Sequence, residues 1–84
     1  MFVLATVTFT DPSKIGPYVE EEFAQLHANR DKGLIASEYL RADGKGAFVV
    51  WQVGSVDEAR QHASELTLSK KGFMTVEFTE LTPF

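Results

Sequence analysis

Cysteine is absent from this chain of 84 residues. Disulfide frameworks, thiolate nucleophiles and cysteine-based zinc sites are therefore excluded. Only 3 prolines and 6 glycines are present, so the chain is neither collagen-like nor built from low-complexity linkers. Basic residues are also scarce, with Lys+Arg 8 against Asp+Glu 12 and a net charge of −4. A nucleic-acid surface calls for a basic stripe, and Lys70-Lys71 is the one adjacent basic pair. No apolar run approaches the ~18 residues that cross a bilayer. The apolar start, Phe2 to Val7, lacks a positive flank and is interrupted by Thr6, unlike a signal peptide. These absences predict a cytoplasmic protein with no membrane and no nucleic-acid partner.

What is present is ordinary globular material, 44% hydrophobic and 24% charged, expected to form one domain over residues 1–84. A chain this short buries only about 60–65% of its unfolded surface, so a partner adds stability. Phe2–Phe9 is β-branched and aromatic, the mark of a strand. A helix is expected at about 14–32, its start open between Ser13 and Pro17. Val19, Phe23, Leu26 and Arg30 form its inward stripe and Gly33 its C-terminal stop.

Leu34–Arg41 and Ala47–Val53 read as strands joined by a hairpin containing Asp43-Gly44. Loops of two or four residues put Leu34, Ala36, Glu38 and Leu40 on one face with Ala47, Val49, Trp51 and Val53. The other face then carries Ile35, Ser37, Tyr39, Arg41, Phe48, Val50 and Gln52. Ser55-Val56-Asp57-Glu58 is a capping box opening a second helix that buries Val56, Ala59, Ala63 and Leu66. Phe73–Leu81 alternates as a final strand.

The order β-α-β-β-α-β predicts an α+β, ferredoxin-like fold, with helices on one face of a four-stranded antiparallel sheet. A sheet face turned to water should alternate cleanly. Strands one to three carry large apolar residues on both faces, so two sheets are expected to pack face to face as a homodimer, a dimeric α/β barrel.

The segment Gly33 to Ser55 with Val53-Gly54-Ser55, Asp57-Glu58, Leu66 and Leu68, and Met74-Thr75-Val76-Glu77-Phe78-Thr79 followed by Leu81, resembles muconolactone isomerases. The resemblance implies a dimeric α/β barrel related to enzymes that move a double bond in an unsaturated lactone from aromatic-compound degradation. Two departures stand out. Ser37 in Ile35-Ala36-Ser37-Glu38-Tyr39 occupies the place of a family histidine, and Ser69-Lys70-Lys71-Gly72 lacks the family's proline. The ending Leu81-Thr82-Pro83-Phe84 is similar to that of YCII-related proteins, but their Asp-Pro before the last strand is missing.

Moving such a double bond takes a base and an acid, and a carboxyl in a dry site can serve as either. Glu38, on an otherwise apolar face, is the first candidate; the alternative is an edge-strand charge that discourages aggregation. Glu22, about 60° from the first helix's stripe, is the second, against a role as a glutamate serving the helix dipole. His27 is the third. Arg30 is a candidate for gripping a substrate carboxylate, and Tyr18, Tyr39 and Trp51 for lining a pocket around a flat ligand. His27 and His62 lack ligand-spaced neighbours, so no metal and no cofactor are expected. The readings are a cofactor-free isomerase or lyase on a small unsaturated lactone or acid, a non-catalytic dimeric ligand-binding or interaction module, and a cofactor-independent monooxygenase.

Overall fold

The computed structural model spans Met1–Phe84. Strand β1 (Phe2–Phe9) is followed by two short 3-10 turns and helix α1 (Val19–Asp31). Strands β2 (Ile35–Leu40) and β3 (Gly46–Gln52) form the hairpin. Helix α2 (Val56–Ser64), the single turn α3 (Thr67–Lys70) and strand β4 (Met74–Leu81) complete the chain. The strands order β2-β3-β1-β4, all antiparallel. This is the ferredoxin-like α+β arrangement expected from the element order. Both long helices cover one face, α1 against β2 and α2 against β4. No helix is long and apolar enough to cross a membrane.

The first helix starts later than expected. Residues 12–18 form 3-10 turns at Pro12–Lys14 and Gly16–Tyr18. Pro17 disfavours a helical Gly16, so the α-helical ladder starts only beyond it. The far end closes as the sequence suggests. Gly33, at φ 78°, donates to the Arg30 carbonyl, and Leu34 N–H donates to the Asn29 carbonyl. That pair of bonds is a Schellman stop, which glycine adopts without Cβ strain.

The helix also faces a different way. Leu26 and Glu22 are buried, whereas Phe23 is 43% exposed and Arg30 is exposed. The cause is long-range. Turn α3 presents unpaired N–H groups, and α1 supplies their acceptors: Thr67 N–H donates to Gln25 Oε1 (2.9 Å) and Leu68 N–H to Glu22 Oε1 (3.0 Å).

The β2–β3 register keeps the expected faces from Ser37 onward, with Glu38 opposite Val49 and Leu40 opposite Ala47. A bulge at Ala36 then shifts the pairing by one, so Ile35 faces Trp51 and joins the core. Ile35 therefore belongs to the helix side and Ala36 is exposed, the reverse of the simple alternation.

The main core gathers Val3, Ala5, Val49, Trp51, Ala59 and Ala63 with their neighbours. The two alanines let α2 lie close to the sheet. Ser55 Oγ accepts from Glu58 N–H (3.1 Å), and Glu58 Oε2 accepts from Gly54 N–H (2.8 Å). The return bond of the capping box thus reaches one residue further back than expected. Ser55→Ala is expected to lower stability by about 1 kcal/mol, read as a reduced urea midpoint at unchanged m-value.

Candidate active site

Where α1 leaves the sheet toward the β2–β3 hairpin, a cavity of about 550 Å³ opens. Phe9 and Val7 of β1, Leu40 and Val49 of the hairpin, and Leu66 and Leu68 around α3 wall it. Of its 17 lining residues 13 are hydrophobic, so water inside is poorly held. The polar side chains on its wall are Glu22, His27 and Glu38. Tyr39 also borders it.

Glu22 sits on the inward face of α1 at 6% exposure. Burial pushes its pKa above the usual carboxylate range, and the nearby Glu21 charge adds to the rise. The Leu68 N–H bond opposes both but does not cancel them. A carboxyl whose pKa is raised against an apolar cavity is better suited to hold and give up a proton than an exposed one.

Glu38 projects from β2, where alternation places it on the helix side. Its Oε1 lies 3.5 Å from His27 Nε2 and 3.7 Å from Arg30 Nη1. Its Oε2 is buried and has no hydrogen-bond partner in the protein. His27 itself is solvent-facing, with 63% of its side chain exposed. One end of the Glu38 carboxyl therefore has Arg30 and His27 beside it at the rim, and the other has no protein partner.

The remaining sequence candidates lie elsewhere. Arg30 does not line the cavity; it backs Glu38 from the outer side. Trp51 is fully buried and stacks on His62, with centroids 5.7 Å apart and planes at 12°. Tyr18 packs on Phe73 (5.8 Å) under Lys71 (5.3 Å) and borders a separate polar cleft. Tyr39 is 65% exposed. Sequence reasoning missed Gln25, whose side chain anchors α3 under the cavity, and Phe23 at its wall. A glutamine facing a turn 42 residues away leaves no local signal. No group of three or more His, Cys, Asp or Glu side chains is arranged to hold a metal ion.

No family model and no curated protein sequence matches the chain. Among solved structures, 5-chloro-2-hydroxyhydroquinone dehydrochlorinase (TftG) from Burkholderia phenoliruptrix AC1100, in complex with 2,5-dihydroxybenzoquinone, aligns with a TM-score of 0.75. The alignment covers 98% of this chain and 94% of that one at 16% identity. The fold is shared at that level of identity. That protein is an enzyme acting on a chlorinated hydroxylated ring.

Proposed function

We propose that this protein is a cofactor-free, cytoplasmic enzyme of the isomerase or lyase type, similar to muconolactone isomerase. It shifts a proton on a small unsaturated ring held between α1 and the sheet. The observation that carries this reading is the buried Glu22 carboxyl facing the same apolar cavity as Glu38. Glu38, as a carboxylate, takes a proton from the ring. The protonated Glu22 returns one at another atom, and the double bond moves between them. The cycle leaves Glu38 protonated and Glu22 ionised. His27, at the rim beside Glu38, exchanges the proton with water and helps reset the pair.

The working form is a homodimer joined through the open face of the sheet. On that face the inner two strands contribute Phe2, Leu4, Phe48 and Val50 together with Thr6, Thr8 and Gln52, with Tyr39 and Leu81 toward the edges. The monooxygenase reading relied on Trp51 holding an aromatic ligand, and Trp51 has no surface on the cavity. A module that only meets a protein partner would have a packed interior, and this one contains a cavity of ligand size; two carboxyl groups facing it favour the enzyme over a ligand carrier.

The test is solvent exchange. Unsaturated lactones, muconolactone among them, and cyclic enols are incubated with the protein in deuterium oxide and followed by proton NMR. The expected result is catalysed deuterium uptake or isomerisation on at least one ring. Rates equal to the buffer blank across the whole panel would overturn the reading.

A further inference from the structure

We infer that Glu38 Oε2 is the anchor for a ring hydroxyl, so that the cavity selects neutral, hydroxyl-bearing unsaturated rings over carboxylate-bearing ones. This rests on the function proposed above and narrows its substrate class. A buried carboxylate oxygen without a hydrogen bond is unfavourable, because desolvation is uncompensated. Glu38 Oε2 is such an atom. A carboxylate only accepts, so its complement on a ligand is an O–H or N–H donor.

Charge narrows the choice. The Glu38 carboxylate already has Arg30 and His27 against Oε1, so what Oε2 lacks is a hydrogen bond and not a counter-charge. The cavity wall contains no lysine or arginine. A ligand carboxylate would meet two glutamates there and leave its own charge unpaired in an apolar space. Arg30 is committed to Glu38 from outside, so it does not serve as the carboxylate grip that the sequence suggested. A neutral ring with a hydroxyl satisfies the orphan oxygen and lays its remaining surface on the walls of Val49, Leu66 and Leu68.

The proton shift then has defined ends. The O–H bond of the enol breaks toward Glu38, and a C–H bond forms from the Glu22 carboxyl. The ring passes from enol to ketone with no net change in protons.

Four monocyclic probes separate the terms: phenol, its methyl ether anisole, benzoate and benzylammonium. Each is titrated at pH 7 into the isotope-labelled protein, reading backbone amide shifts around the cavity, Leu68 among them. Phenol is expected to bind at least tenfold more tightly than the other three. Glu38→Leu should reduce its margin over anisole to under threefold, with amide shifts far from the site confirming the fold. Glu38→Gln gives a second reading if the leucine variant fails to fold. It keeps the shape but makes part of the group a donor, and should also shrink the margin. Equal binding of phenol and anisole, or tighter binding of benzoate or benzylammonium, would overturn the hydroxyl anchor while leaving a ligand cavity. Absence of cavity shifts with every probe would overturn both readings.

Discussion

Glu22→Gln is expected to cut the proton-shift rate by about 10²–10⁴-fold and at the same time to raise the melting temperature at neutral pH. The two effects share one cause. Burial raises the pKa of Glu22 above its ordinary value, so the native state holds that proton more tightly than the unfolded chain does. As pH rises from the ordinary carboxylate range through the raised value, the unfolded chain releases the proton first, and stability falls. Below that range both states are protonated and the group costs nothing. Glutamine keeps an oxygen for the Leu68 N–H but never ionises. The variant and the parent should therefore melt together in acid, and the variant's advantage should open as pH rises. For a domain of this size each ~1 kcal/mol appears as about 4–8 °C. Calorimetry from acid to neutral pH, paired with deuterium exchange into substrate, measures both arms. A variant that melts below the parent at neutral pH would show that the carboxylate's bond to Leu68 N–H outweighs the cost of burying its charge. A variant retaining parental turnover would remove it from the chemistry.

The same residue shows what a single sequence encodes locally and what it does not. Strand β1 and the β2–β3 hairpin were legible because alternation and an Asp-Gly turn are local signals. The position of Glu38 follows from them, since a two- or four-residue loop gives it the same face. The Ser55 cap was legible for the same reason. The facing of α1 was not. Read by apolar spacing, its stripe runs through Phe23 and Arg30, but the helix turns so that Glu22 and Gln25 meet the N–H groups of α3. Those partners lie more than 40 residues downstream, and α3 itself has only four residues. The bulge at Ala36 is equally silent, because it shows itself only in the pairing. Aromatic residues misled in a simpler way. Trp51 is as suited to a core as to a pocket, and burial beside His62 decided it. Polar groups directed by distant partners are thus what sequence patterns lose, and here they build the cavity.

Val50→Glu is expected to split the proposed homodimer while leaving each subunit folded. Val50 lies on inner strand β3 of the open face, opposite Leu4 on one side and Ser37 on the other. Phe48 and Tyr39 flank it on that face, 37% and 65% exposed in the isolated chain. An antiparallel sheet turned to water carries polar residues on its outer face. The polar residues of this face are Thr6, Thr8, Gln52 and Ser37 beside the apolar patch, and Thr75, Glu77 and Thr79 along edge strand β4, where the rim of an interface belongs. In a two-fold dimer the substitution enters twice, placing two carboxylates among the apolar side chains of the interface. An increase in the dimer dissociation constant of at least ~100-fold corresponds to about 2.8 kcal/mol. Because residue 50 points away from the helices, the circular dichroism spectrum should be unchanged. Light scattering on a sizing column should give twice the chain mass for the parent and the chain mass for the variant at micromolar concentration. A parent that elutes as a monomer would refute the interface. A variant that stays dimeric would place the interface on another surface.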